Sequence, residues 1–339
     1  MFIAIFGSIE SGIIYAIMAL GVYLSFRILD FPDLTVDGSF VTGAAVTAVL
    51  IVNGANPFMA TMVALLAGFL AGCITGLLHT KGKINALLSG ILMMIALYSI
   101  NLRIMGKSNV PLLNQETALT KLTNFWKSLG IDDAINQFMT SIGLSSMVPK
   151  TWSVLFFMAL VTLIIKFLTD WFLKTEIGLA LRAVGDNKKM ISSFSANTDT
   201  LTIVGLGISN AFVAFSGALI AQYNSFSDVG MGIGMIVIGL ASVIIGEALF
   251  GTKTIARTTL AVIGGAIIYR IVLALALKVK FLETGDMKLI TATIVVLALT
   301  IPKIIDVQKE KMRKQKRKQE QLRMTTEGGE HHVASKADF

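Results

Sequence analysis

The sequence predicts an all-α, polytopic membrane protein with about nine transmembrane helices and no soluble domain. Three observations carry that reading. Hydrophobic residues make up 54% of the 339 positions and charged residues only 15%, where a soluble chain carries about a quarter charged. Apolar runs of about 20 residues, each long enough for a hydrocarbon core of about 30 Å, recur along nearly the whole chain. A polar, partly basic stretch, Thr175 to Asn187, interrupts them in mid-sequence.

The runs fall at about 5–26, 34–53, 57–79, 84–105, 151–173, 201–223, 233–250, 256–277 and 288–305. Short or broken helices would move the count to eight or ten. The first run does not read as a cleaved signal: Met1 to Gly7 carries no positive side chain, and Glu10 stands where a basic segment should have ended. Cys73 is the single cysteine, so no disulfide framework exists, and its apolar surroundings suit a buried structural thiol.

Lysine and arginine in short loops orient such a chain. Arg27, Lys81, Lys83, Lys174, Arg182, Lys188, Lys189, Lys253 and Arg257 all fall on one side if nine crossings are made, together with a dense basic tail from Lys303 to Arg323. That side is expected to be cytoplasmic, with the N-terminus outside and the C-terminus inside. Lys278, Lys280 and Lys288 fall outside, offset by Glu283 and Asp286.

An internal repeat agrees with this count. FPDLTVDGSFVTGAA at Phe31 to Ala45 echoes FSDVGMGIGMIVIGLA at Phe226 to Ala241. With one residue inserted, Gly38 and Gly43 match Gly234 and Gly239; upstream, Gly12 and Gly21 match Gly207 and Gly217. Five crossings separate the copies, an odd number, so they run in opposite directions. Inverted repeats of this kind build transporters, with the solute path between the halves.

Glycines mark a second feature. Gly68, Gly72 and Gly76 have the small-xxx-small spacing that lets helix backbones approach. Gly230, Gly232 and Gly234 beside Asp228 instead suggest a discontinuous helix, tolerated in lipid only where protein or water covers the backbone. Asp33 to Gly38 is its counterpart in the first half. Two roles are open to Asp37: capping a half-helix N-terminus, or facing the path. Few ionisable groups lie in the runs. Glu10, Arg103, Lys166, Asp170 and Glu247 stand near segment ends, Lys166 and Asp170 are spaced to pair, and Arg270 is deepest. Uncharged polar groups, Asn101, Asn210 and Gln222 among them, suit a path that hydrates a polar or zwitterionic solute. Asp37, Asn101, Asn210, Gln222, Gly230, Gly232 and Gly234 are therefore the candidate path residues.

No catalytic constellation emerges, so the chain is not expected to be an enzyme. GLLHTKGK at Gly76 to Lys83 has neither the spacing nor the Ser/Thr of a phosphate loop, and His79, His331 and His332 build no metal site with Cys73. Energy for active transport must come from an ion gradient or a partner.

The stretch from Thr175 fits the pattern T-x-x-G-x-x-[LI]-R-A-x-G-x-N through Thr175, Gly178, Arg182, Ala183, Gly185 and Asn187. It is followed by a small-residue-rich helix with Ser216-Gly217-Ala218-Leu219, although Ile220-Ala221-Gln222 departs from the usual Ala-Gly. This resembles the cytoplasmic loop and following helix of ABC-importer permeases of the branched-chain amino-acid and ribose type. Ile238 to Gly251 resembles the family's last block, and Leu29 to Ala45 a subgroup associated with tryptophan or tyrosine uptake, so the likeness spans about residues 8 to 305.

The resemblance implies a type II importer fold in a bacterial plasma membrane, a permease homodimer, a separate ATP-binding subunit holding ATP and magnesium, and an extracytoplasmic solute-binding lipoprotein. No cofactor is implied for this chain. The resemblance also implies coupling to the ATP-binding subunit through Glu176, Gly178, Arg182, Ala183, Gly185, Asp186 and Asn187. A short helix from Glu176 to Val184, stopped at Gly185–Asn187, suits that contact. The implied solute is an amino acid, aromatic ones leading; nucleosides and sugars remain open, as does an ion-driven carrier or channel.

Outside the core, 106–150 forms a long external loop, with amphipathic spacing at Leu122, Phe125, Trp126, Leu129 and Ile135. It either docks the binding protein or lies on the outer leaflet. The transmembrane domain is expected over 1–305, with a coupling loop at 174–200 and a basic, disordered tail at 306–339. The tail suits anionic lipid and not nucleic acid.

Overall fold

The computed structural model describes residues 2–141, 149–193, 197–276, 289–290, 292–293, 296–297, 300, 308 and 310–315. Among them, eight helices are long and apolar enough to cross a membrane. The ninth expected span, 288–305, lies mostly outside the described residues, although those described between 289 and 300 are helical. The chain divides into Met1–Ala292 and Thr293–Phe339. The second unit shows an exposed ion pair between Lys314 and Glu310 at 2.8 Å; His331, His332 and most of the basic tail lie outside the described residues.

In the first unit, α1 (Phe2–Val22) runs into a π-helical turn (Tyr23–Ile28). Then come α2 (Thr35–Val52), α3 (Pro57–Thr80) and α4 (Ala86–Met105). The long loop forms β1 (Asn109–Pro111), α5 (Ala118–Ser128) and α6 (Ile131–Ser141). It is followed by α7 (Ser153–Phe172), α8 (Glu176–Ser193), α9 (Thr198–Asn224), β2 (Phe226–Asp228), a 3₁₀ turn (Val229–Gly232), α10 (Met235–Phe250) and α11 (Ile255–Ala276).

Local chemistry sets these limits. Asn56 caps α3 by accepting from the Phe58 N–H at 3.0 Å, with Pro57 at the first helical position where its missing N–H is harmless. Asn85 caps α4 through the Leu87 N–H at 2.9 Å, and Asn197 caps α9 through the Thr200 N–H at 3.1 Å. Gly106 ends α4 at φ +66°.

The halves interlock as an inverted repeat. α9 packs between α2 and α3 of the first half, and α1 packs against α10 and α11 of the second. Gly43 of α2 lies on the backbone of Ala214 in α9, as its mate Gly239 of α10 lies on Val22 of α1. Gly207 of α9 meets Phe69 and Cys73 of α3, as Gly12 of α1 meets Ile267 of α11. Hydrogen bonds follow the same crossing: Ser209 donates to the Gly21 carbonyl at 2.7 Å and Ser216 to the Ile14 carbonyl at 2.9 Å. Gly21 and Gly217 break the correspondence, one lying on α9 and the other on α2. α1, α2 and α9 are the most enclosed spans, whereas α3, α4 and α7 turn apolar side chains such as Leu66, Leu92 and Phe167 outward.

At one end of the spans, β1 pairs antiparallel with β2, Asn109 opposite Asp228. The same loop is tied down by Gln222, whose Oε1 accepts the Ala118 N–H at 2.8 Å while its Nε2 donates to Thr61 at 2.9 Å. The amphipathic stretch of the loop is helical on both sides of a break at Gly130 (φ +66°). Trp126 is buried and donates to Asp132 at 2.8 Å, while Phe125 and Leu129 stay exposed.

Candidate functional site

The two repeats meet head to head at the start of α10. After β2 the chain makes one 3₁₀ turn, passes through Gly234 at φ +88°, where a side chain would be strained, and only then becomes helical. With 16 residues α10 is about 24 Å long, shorter than the hydrocarbon core. Its N-terminal N–H groups have no cap of their own. Asp37, in the first turn of α2, supplies it: one carboxylate oxygen accepts from the Gly234 N–H and the other from the Ile236 N–H, each at 2.8 Å. An anion at a helix N-terminus satisfies orphan donors and complements the helix dipole. Asp37 thus caps a half-helix, but that of the other repeat.

The same junction borders a cavity of about 420 Å³, and so Asp37 also faces it. Gly232 and Asn101 share the wall, and the remainder is apolar, chiefly Val41, Ile95, Tyr98 and Ile233. Asn101 donates to the Gly38 carbonyl at 3.2 Å, and its own side-chain oxygen is buried without a partner among the described residues. A space of this size and character accepts a small solute with an apolar body and few polar groups. Of the sequence candidates, Asp37, Asn101 and Gly232 line it. Gly230 and Gly234 flank it along the chain; the Gly230 N–H is held by Asp228 at 2.7 Å.

Asn210 and Gln222 lie elsewhere. Asn210 is buried in α9 and donates to Asp33 at 2.6 Å, while Asp33 also accepts the Thr35 N–H at 2.9 Å. Asp33 and Asp228, the repeat's matched acids, therefore make the same turn onto the N–H two residues on. Gln222 holds the outer loop. The apolar wall from α4 escaped the sequence reading because Met94, Ile95 and Tyr98 carry no signal that separates a cavity from a lipid-facing stripe.

At the opposite end of the spans, α8 breaks at Asn187 (φ −158°, ψ 89°), where the sequence stop was expected. Asn187 restarts the helix by accepting the Met190 N–H at 3.1 Å. Two glycines seat α8. Gly178 lies on the end of α7 at Phe172 and Leu173, and Gly185 on the Ile28 carbonyl. Leu181 and Val184 are buried beneath, while Glu176, Ile177, Leu179, Asp186 and Asn187 are exposed. Ala183 is half-buried. Arg182 turns sideways into a second cavity shared with Tyr23, Arg27 and Glu247 rather than standing on the outer face.

Most charges in the spans are engaged among the described residues, whereas Arg103, in the last turn of α4, is exposed. Lys166 pairs with Asp170, both buried, and Asp170 also accepts from Thr259 at 2.6 Å. Arg27 meets Glu247 at 3.0 Å, and Tyr223 donates to Glu10 at 3.1 Å. Arg270 stacks its guanidinium 4.6 Å from the Tyr15 ring and donates to Ser11 at 3.2 Å.

Residues 4–301 match the family described as branched-chain amino acid transport system / permease component. The chain is 44% identical over 284 residues, 84% of its length and 86% of the relative's, to the tyrosine transport system permease protein of Clostridioides difficile (strain R20291). It is 35% identical over 243 residues, 72% of its length and 76% of the relative's, to the uncharacterized protein RP368 of Rickettsia prowazekii (strain Madrid E). No solved structure matches significantly. A multi-pass bundle of apolar helices, interlocked as two opposed repeats and matched over nearly its whole length, places this chain among the permease components of branched-chain amino acid transport systems, in the cell membrane.

Proposed function

We propose that this chain is the membrane-spanning subunit of an ATP-driven ABC importer for an aromatic amino acid. The 44% identity to a permease named for tyrosine transport, over 84% of this chain, carries the reading. The cavity at the Asp37–Gly234 junction supports it, being apolar enough for a ring and bordered by Asp37 and Asn101. The chain itself hydrolyses nothing. A separate ATP-binding subunit holds ATP and magnesium, docks on the exposed Ile177 and Leu179 face of α8, and moves α7 and the π-helical turn after α1 through Gly178 and Gly185. The α8 end is cytoplasmic and the β1–β2 end external, where a solute-binding lipoprotein delivers the amino acid. Two copies of the chain complete the permease.

The test is purification of the tagged chain from its own membranes in mild detergent, followed by mass spectrometry and reconstitution with what copurifies. The reading expects an ATP-binding cassette subunit in near-equal amount, tyrosine or tryptophan uptake that requires ATP, and loss of the subunit from Leu179→Asp. Uptake that ignores ATP but collapses with an uncoupler would replace it with an ion-driven carrier. ATP-dependent uptake of a nucleoside or sugar instead would keep the importer and change the solute.

A further inference from the structure

We propose that the cavity beside Arg182 is a binding site for a phosphate group, independent of the solute path. This space, about 410 Å³, lies where the π-helical turn after α1, the middle of α8 and the α10–α11 turn come together. Arg27, Arg182 and Lys253 line it, against one carboxylate, Glu247. Glu247 is committed to Arg27 at 3.0 Å. Among the described residues Arg182 and Lys253 have neither ion pair nor hydrogen bond, so two positive charges face the cavity uncompensated.

A second observation points the same way. Tyr23 is only 4% exposed, yet its hydroxyl makes no hydrogen bond among the described residues and is not sealed from the cavity it lines. A phenol that opens into a cavity is met there by water or by a ligand's acceptor oxygen. Two free cations and a donating hydroxyl ask for an anion with several acceptor oxygens. Phosphate has them, and guanidinium groups bind it in paired hydrogen bonds.

Two sources offer that chemistry. The cavity stands where α10 ends, beside the exposed side chains of Leu249 and Phe250 that would take acyl chains, which suits the headgroup of an anionic phospholipid. Free phosphate or a phosphorylated metabolite offers the same oxygens without the chains. Either would tie α8 to α1 and to the α10–α11 turn, fixing the helix proposed to receive the ATP-binding subunit.

The experiment uses the full chain, delipidated in detergent. Native mass spectrometry is read with added phosphatidylglycerol or phosphatidylcholine, and thermal stability with added inorganic phosphate. Arg182→Gln/Lys253→Gln is compared with Lys81→Gln/Lys83→Gln, which removes the same charge from exposed positions at the same end of the spans. The basic tail is unchanged throughout. Phosphatidylglycerol binding weakened by about tenfold or more in the first variant alone, a loss of about 1.4 kcal/mol, supports a headgroup site. Stabilisation by inorganic phosphate, lost in the same variant, supports a soluble phosphate. Tyr23→Phe deletes one oxygen from a buried ring and serves if the double variant does not fold: weaker binding supports the site, and unchanged binding overturns it. The proposal also fails if the wild-type chain binds neither ligand, or if both double variants bind equally.

Discussion

Asp37 and Gly234 come from opposite repeats, yet the carboxylate of one holds the backbone N–H of the other at 2.8 Å. Because the same carboxylate also takes the Ile236 N–H, one side chain organises the start of α10 and a wall of the adjoining cavity. Asp37→Ala leaves two helix-end donors without a partner, a loss of about 1–3 kcal/mol. We expect uptake to fall by about tenfold or more, since that energy spans one to two decades in an equilibrium. Asp37→Asn, which keeps one acceptor, is expected to fall between wild type and Asp37→Ala. Initial uptake rates in vesicles, normalised to protein in the membrane, check this ordering; equal activity of all three would show that the cap is dispensable.

Lys166 and Asp170 form a buried ion pair one helical turn apart, with Thr259 as a third member. Removing one charge strands the other. Lys166→Leu is expected to lower stability by about 3–5 kcal/mol, whereas Lys166→Leu/Asp170→Leu recovers most of that loss, because an apolar pair incurs no desolvation penalty. Unfolding in detergent followed by circular dichroism distinguishes the two, and a double variant less stable than the single would contradict the argument.

Gly43 marks a close approach between α2 and α9. A Cβ there would run into the Ala214 carbonyl, which belongs to helix backbone and cannot swing aside. Gly43→Leu is expected to abolish a monodisperse peak on size-exclusion chromatography. Gly54 has φ +83°, but a methyl group on its Cα would meet nothing within 4 Å. Gly54→Ala should therefore lose only about 1 kcal/mol, from backbone strain, and elute as wild type does.

Gln222 was a path candidate on polarity, but its amide joins α9 to α3 and to the first turn of α5. Gln222→Leu is expected to speed amide exchange at Ala118 and nearby residues of α5 while uptake keeps at least about half its rate, since a surface element opens locally before the core does. Slow exchange with lost uptake would return Gln222 to the path.

Composition and run length are enough to identify a polytopic helical protein, because a segment in lipid must satisfy its own backbone and stay apolar for a fixed length. Glycine spacing reached further. The matches Gly43 with Gly239 and Gly12 with Gly207 mark helix contacts, since close backbone approach restricts residue size regardless of partner. The stop at Gly185–Asn187 and the broken entry to α10 were equally legible, being local backbone events with local residue signatures. Direction was not. Nothing in the order of residues says that Asp37 reaches across to Gly234, that Arg182 turns sideways beside Tyr23, or that Asn210 answers Asp33, 177 positions away. Polarity alone placed Asn101 and Gln222 in one class, and only packing separated a cavity wall from a loop clamp. A side chain's chemistry is written where it stands in the chain, but its partner is chosen by the crossing of helices far apart in sequence.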